Sequence, residues 1–214
     1  NLKNKVVIIT GTNGQLGKLL AKFYITNGAI VYGLDLKNQK KVKDLNYIKC
    51  NINDEKQLEI ALKKIYEKSK KINVLVNNAA VSFFSNFNNR TKEEFLNTII
   101  TNLYSPFNLI RKVSKKAKLK DNLRIINISS IYGNISPNFD IYSKNDRINS
   151  EVYGASKAGL IQMTRYLACN LDGAKIRVNC VSPGPIPKKT NSKSFNKKLI
   201  RKTPENRIGK PIEV

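Results

Sequence analysis

Tyr153 and Lys157 stand four positions apart in Tyr153-Gly154-Ala155-Ser156-Lys157, a spacing that sets a phenol and an ammonium on one face of a helix. Such a pair can exchange a proton with a reacting oxygen. Tyrosine ordinarily titrates near 10, too high for easy work at neutral pH, and a fixed cation beside it should favour the phenolate. The chain contains no histidine. A Ser-His-Asp triad, a Cys-His dyad and any His-ligated metal site are therefore excluded, and a phenol is left as a ready acid/base. No metal-ligand cluster is expected.

A second constellation is Thr10-Gly11-Thr12-Asn13-Gly14-Gln15-Leu16-Gly17. Glycines there permit a tight turn and a close backbone approach to a pyrophosphate, and the amides at the start of the following helix offer donors and a positive dipole end. Asp35 ends the next strand, 18 residues after Gly17. That is where an acidic side chain would accept hydrogen bonds from the adenosine ribose and repel a 2′-phosphate, which favours NAD over NADP, although Lys37 stands close by. Moving a hydride between a carbinol carbon and a nicotinamide needs a matched proton transfer at oxygen, and Tyr153 could supply it.

The elements that must position these groups can be read from the apolar pattern. Val6-Val7-Ile8-Ile9 is a continuous β-branched run, expected of a strand buried on both faces. A helix is expected from about residue 14 to 26, closed by Asn27-Gly28, with strands at 29–34, 47–50, 74–76, 124–128 and 175–181. Helices are expected at 55–68, 92–118 and 152–170, the second with an irregularity at Ser105-Pro106, because proline removes a backbone donor. Six strands alternating with helices predict an α/β fold: a doubly wound parallel sheet of the Rossmann type, helices on both faces, with ligands bound at the carboxyl ends of the strands.

Length and composition agree with one domain over residues 1–214. The 41% of apolar residues lie in short runs, so no membrane span is expected. Cys50, Cys169 and Cys180 are odd in number and widely spaced, and no leader opens the chain, which points to a cytoplasmic protein. A net charge of +24 raises a nucleic-acid function, yet the lysines are strewn along the chain, Lys37, Lys40, Lys41, Lys63, Lys112 and Lys198 among them, rather than gathered in a stripe. A nucleic-acid partner is disfavoured. The chain starts at Asn1 and stops at Val214 after an incipient helix, so a fragment lacking the last strand is expected.

Several further segments carry a resemblance. Leu75-Val76-Asn77-Asn78-Ala79-Ala80, Thr101-Asn102-Leu103, Ile126-Asn127-Ile128-Ser129-Ser130, the Tyr153 to Lys157 motif and Arg177-Val178-Asn179-Cys180-Val181-Ser182-Pro183-Gly184 follow one another in the order seen in short-chain dehydrogenases/reductases. Singly each has a plain alternative, a turn, a strand end or an i,i+4 surface pair; together they resemble that family from the first strand onward. The resemblance implies catalytic roles for four residues. Tyr153 is the acid/base, Lys157 its activator and a ligand of the nicotinamide ribose, Ser130 the donor to the substrate oxygen, and Asn102 part of a water-linked proton path. It also implies that Gly11, Asn13, Gly14, Gln15, Leu16, Gly17, Asp35, Asn51, Ile52, Asn78, Ala79, Pro183, Gly184 and Ile186 line the cofactor site. A homodimer or homotetramer built on the helices around 103–118 and 152–170 is implied as well.

Three departures bear on cofactor detail. Gln15 replaces the glycine of the usual single-domain members, so Gly14 gives the spacing of the sugar-nucleotide-modifying branch; Asn51 replaces an adenine-contacting aspartate; Lys188 stands where a threonine is common. Ser130 and Tyr153 are 23 positions apart, against roughly a dozen in common members, so a loop insertion is expected over about 134–150 on the substrate side. Its Ser136, Asn138, Asp140, Tyr142, Lys144, Asn145, Asp146 and Arg147 suit a small-molecule substrate rich in hydroxyls, a sugar or polyol, as in family members from bacterial surface-sugar pathways. The alternatives are a dinucleotide-binding regulator without catalysis, and a sugar-nucleotide epimerase or dehydratase, for whose extra substrate domain the chain is short.

Overall fold

The computed structural model describes residues 1–38, 42–142, 148–186 and 192–214. Strands β1 (Val6–Thr10), β2 (Ile30–Asp35), β3 (Leu45–Lys49), β4 (Val74–Asn77), β5 (Arg124–Ile128) and β6 (Arg177–Val181) form one sheet in the order β3-β2-β1-β4-β5-β6, every pairing parallel. The chain winds outward from β1 to β3 and then outward again from β4 to β6. A crevice results at the carboxyl ends of β1 and β4, where the winding reverses.

The six helices are α1 (Gln15–Thr26), α2 (Glu55–Ser69), α3 (Lys92–Ile99), α4 (Ser105–Lys116), α5 (Glu151–Asn170) and α6 (Lys193–Arg201). Alternate residues of β1 feed two cores, because side chains of a strand point to opposite faces. Val6 and Ile8 pack with Leu58, Ile65, Leu109 and Val113 of α2 and α4, whereas Val7 and Ile9 pack with Ala21 and Tyr24 of α1. Val7, Ile8 and Ile9 have no accessible surface, and each such side chain stabilises the fold by roughly 1.5–3 kcal/mol relative to an exposed one.

The sequence places every strand to within two residues, but the expected irregularity at Ser105-Pro106 is corrected. It lies one turn earlier, in a π-helical turn over Ile100–Tyr104, and Pro106 sits inside the first turn of α4. The cause is the geometry of proline, whose ring presses on the carbonyl four residues back and offers it no N–H. That carbonyl belongs to Asn102. The sequence reading also passed over α6, which Ser192 caps by accepting from Phe195 N at 3.0 Å. Within the expected insertion a short 3-10 turn covers Phe139–Ile141. Lys40, Lys41, Lys144, Asn145, Asp146, Arg147 and Lys188 lie outside the described residues.

Candidate active site

The first wall of the crevice is the glycine-rich turn. Gly11 adopts φ +72° and leads the chain away from β1; a Cβ on Gly17 would stand 2.1 Å from the Gly11 carbonyl oxygen, so helix and turn can approach this closely only with glycine there. Gly14 caps α1 without a side-chain hydrogen bond, and the first turn, which begins with Gln15 and Leu16, holds no acidic residue. The leading amides of α1 are thereby left for an external acceptor, as an anion site requires. Donor set and close approach both fit the pyrophosphate of a dinucleotide.

Asp35 reaches the same turn from β2. One carboxylate oxygen accepts from Asn13 N at 2.9 Å and the other from Lys37 N at 3.1 Å, while Asn13 Nδ2 donates to the Lys37 carbonyl at 2.9 Å. Asn51 and Ile52 follow β3, half-buried, and Asn51 Oδ1 accepts from Asn53 N at 3.1 Å. Asn78 is a strut across the crevice. Its Nδ2 donates to the carbonyls of Thr10 and Gly11 at 2.9 and 3.1 Å, and Thr10 Oγ1 accepts from the amides of Asn78 and Ala79. Asn78 was expected to line the adenosine and nicotinamide-ribose side, and its side-chain amide stands in the crevice donating to backbone.

The opposite wall carries the expected chemistry. Ser130 and Tyr153 line one cleft of about 340 Å³ together with Leu16, Pro183, Gly184 and Ile186. The Ser130 hydroxyl favours the charged form of the Tyr153 phenol. Lys157, 2% exposed, donates from Nζ to the Ile128 carbonyl at 2.7 Å and stands 5.6 Å from the centroid of the Tyr153 ring. Burial pushes the lysine down to about 8, with Cys180 acting the other way. The expectation that Lys157 draws the phenol down is not met in this geometry: burial raises Tyr153 above its ordinary range, and the Ser130 hydroxyl offsets that only in part.

Asn102 is fully buried and does not touch the pair. It exchanges two hydrogen bonds with the backbone of Val81, Oδ1 accepting from Val81 N at 2.8 Å and Nδ2 donating to Val81 O at 2.9 Å. Nδ2 also donates to Ser156 Oγ at 3.1 Å, and that hydroxyl donates to the Tyr153 carbonyl at 2.7 Å. Asn102 thus joins the site through α5. The structure brings Ser130, Tyr153 and Lys157 together directly and Asn102 one residue removed.

Several positioning residues escaped the sequence reading. Ser129 Oγ donates to the Lys157 carbonyl at 2.9 Å, and a buried amide ladder runs from Asn77 Nδ2 to Asn127 Oδ1 at 2.8 Å and from Asn127 Nδ2 to Thr164 Oγ1 at 2.9 Å. The signal was present: a polar side chain in the middle of an apolar strand must find a partner. Gly133 lets the serine loop rest on α5, since a Cβ there would stand 2.8 Å from the Lys157 carbonyl carbon. Above the cleft Tyr142 packs against Phe195 with ring centroids 5.4 Å apart, and Lys198 Nζ donates to the Asp140 carbonyl at 3.2 Å. The inserted segment is in this way fastened to α6.

The described residues contain no group of three or more His, Cys, Asp or Glu able to hold a metal, and no helix long and apolar enough to cross a membrane. The sequence profile of the family described as short chain dehydrogenase matches residues 5–199. A 3-oxoacyl-(acyl-carrier-protein) reductase of Thermotoga maritima is 32% identical over 228 aligned positions that take in 100% of this chain and 88% of the relative. The crystal structure of a short chain dehydrogenase from Leptospira borgpetersenii with bound NAD+ is 34% identical, with a TM-score of 0.91 over 99% of this chain and 82% of that one. An NAD+-bound xylitol dehydrogenase, 22% identical, shares the fold at a TM-score of 0.86, over 100% of this chain and 90% of its own.

Proposed function

The chain belongs to the short-chain dehydrogenase family and is an oxidoreductase of that class, and on this premise we propose that it interconverts a secondary alcohol and a carbonyl on a sugar, polyol or similar hydroxyl-rich substrate, with NAD as cofactor. The observation that carries the reading is the meeting of Ser130 and Tyr153 in one cleft, with buried Lys157 holding its Nζ 5.6 Å from the centroid of the tyrosine ring. The nicotinamide, when bound, supplies the hydride acceptor or donor. Ser130 holds the substrate oxygen by hydrogen bond, Tyr153 takes its proton in oxidation or returns it in reduction, and Lys157 stabilises the phenolate and holds the ribose. Asn102 takes part in the water-linked proton path between Lys157 and solvent.

Gly11, Asn13, Gly14, Gln15, Leu16 and Gly17 cradle the pyrophosphate, Asp35 receives the ribose hydroxyls, Asn51, Ile52 and Ala79 flank the adenosine, and Pro183, Gly184 and Ile186 close over the nicotinamide. NAD rather than NADP follows from the carboxylate of Asp35, which opposes a 2′-phosphate. The NAD+ bound to the Leptospira relative supports this choice. Three unpaired cysteines support a reducing compartment, the cytoplasm. Phe95, Leu96, Ile100, Tyr104 and Phe107 leave large apolar side chains exposed along α3 and α4, as does Tyr166 on α5, which supports a homodimer or homotetramer built on these helices. Light scattering behind size exclusion tests that assembly.

The deciding experiment follows nicotinamide absorbance while polyols, sugars, nucleotide-sugars and a 3-oxoacyl thioester are offered with each cofactor. Turnover of a polyol or sugar with NAD is expected. The Thermotoga relative supports one other substrate class, the thioester, and preference for it would replace the substrate assignment while leaving the reaction type intact.

A further inference from the structure

Ser82 and Asn149 line the cleft, and each holds a buried polar atom that meets no partner, Ser82 Oγ and Asn149 Nδ2. Burying such groups unpaired is unfavourable and native chains hold few of them. Among the described residues the only other such side-chain atom is Ser114 Oγ on α4, away from the cleft lining. Ser82 comes from the loop after β4 and Asn149 from the segment leading into α5, so two separate walls each present an unanswered group beside Ser130 and Tyr153.

We propose that Ser82 and Asn149 are specificity residues that grip a hydroxyl next to the reacting carbinol, which makes the substrate an uncharged vicinal diol or the corresponding hydroxy-ketone. This rests on the oxidoreductase reading above. The Asn149 amide nitrogen only donates, whereas the Ser82 hydroxyl donates or accepts. A hydroxyl oxygen can accept from one while its hydrogen goes to the other. A carboxylate or phosphate would find no counter-charge, because no Lys, Arg, Asp or Glu lines this cleft among the described residues. The rings of Tyr132, Tyr142 and Phe195 supply apolar faces for the carbon skeleton. Asn149 and Tyr132 also border a second cavity of about 440 Å³, which extends the site beyond the carbinol. In oxidation the Tyr153 phenolate takes the O–H proton as the C=O bond forms, a bound nicotinamide would supply the hydride acceptor for the carbinol C–H, and the second hydroxyl is unchanged.

The test compares cis-1,2-cyclohexanediol with cyclohexanol as NAD-dependent substrates of the parent and of the Ser82→Ala, Asn149→Ala and Asn149→Asp variants, with a 3-oxoacyl thioester as a third probe. The parent is expected to favour the diol by about 100-fold in kcat/KM, since a site built for a hydroxyl rejects the analogue that lacks it. Each variant should lower the diol-to-alcohol ratio about tenfold or more while NADH binds as tightly as to the parent. Melting temperatures should not fall, because no bond present in the protein is removed. An unchanged ratio in the variants, a preference for cyclohexanol, or variants that lose stability and both activities together would each overturn the proposal. Thioester turnover without diol turnover sinks it and spares the oxidoreductase reading. NADH binding without turnover of any probe removes both.

Discussion

The ammonium of Lys157 stands 5.6 Å from the centroid of the Tyr153 ring while its hydrogen bond goes to the Ile128 carbonyl, so the cation is held beside the phenol by the end of β5. Burial resists charge on both groups, raising the tyrosine and lowering the lysine to about 8. A ligand whose hydroxyls accept from Nζ would raise the lysine again and strengthen its hold on the phenolate. Tyr153→Phe keeps the ring and its packing but removes the proton. Turnover is expected to fall by about 10²–10⁴-fold or below detection, with NADH affinity, read by fluorescence titration, unchanged. A variant at the parent rate would end the assignment of Tyr153.

The depressed lysine also makes stability depend on pH. Between about 8 and 10.5 the unfolded chain holds a proton at Lys157 that the folded chain has lost. Unfolding free energy must therefore rise with pH across that window, and below it the full penalty of burying the cation is borne. The size is on the order of 3 kcal/mol. Lys157→Met should be more stable than the parent at pH 7, with the advantage shrinking toward pH 10.5, and should be inactive throughout. Urea titrations at pH 7, 8.5 and 10 give the slope; a flat difference would show that the folded protein holds the lysine proton as tightly as the unfolded chain does, and that burial does not push this lysine down.

The proposed preference for NAD turns on Asp35, whose carboxylate accepts from the amides of Asn13 and Lys37. Asp35→Asn keeps the shape and removes the charge that opposes a 2′-phosphate, next to a lysine that can receive one. The ratio of kcat/KM for NAD to that for NADP is expected to fall by about tenfold or more, on the order of the 1.4 kcal/mol that one decade represents. Equal ratios in parent and variant would place the discrimination elsewhere.

Gly17→Ala puts a methyl group 2.1 Å from the Gly11 oxygen and 2.9 Å from Asn78 Nδ2. The turn must open to admit it, at a cost of roughly 1–3 kcal/mol for overpacking, and the amides of α1 move with it. Loss of melting temperature together with weaker NADH binding is the expected result. Gly173→Ala is the matched control, because nothing lies within 4 Å of a Cβ there.

Much of this was legible in the chain. Val6 to Ile9 could be placed because a strand buried on both faces needs no alternation, and Tyr153 and Lys157 because four residues on a helix share a face. What escaped depended on contacts between distant segments. The π-helical turn at Asn102 follows from where Pro106 presses in three dimensions, one turn before the residue that causes it. Burial of Tyr153 and Lys157, which reverses the expected shift of the phenol, is set by packing that no local spacing encodes. Helix α6 was missed because its short amphipathic pattern is thick with lysine and buries only Leu199 completely.

The buried ladder Asn77, Asn127, Thr164 offers the last test, and its sign is set by which partners remain. Asn127→Val removes the acceptor of Asn77 Nδ2 and the donor to Thr164 Oγ1, although the threonine still donates to the Leu160 carbonyl at 2.7 Å. An orphaned amide in a strand without solvent contact costs about 1–3 kcal/mol, whereas replacing both partners by apolar groups of similar shape can be nearly neutral. Asn77→Val with Asn127→Val should then recover most of the stability lost by Asn127→Val alone. Activity should not return with it, since the ladder is one of the ties between β5 and the helix that carries Tyr153. Chemical denaturation and kcat measured on Asn77→Val, Asn127→Val and the double variant separate the two effects: additive losses of stability would show that the amides do not act as a pair, and full activity in the double variant would show that α5 is positioned without them.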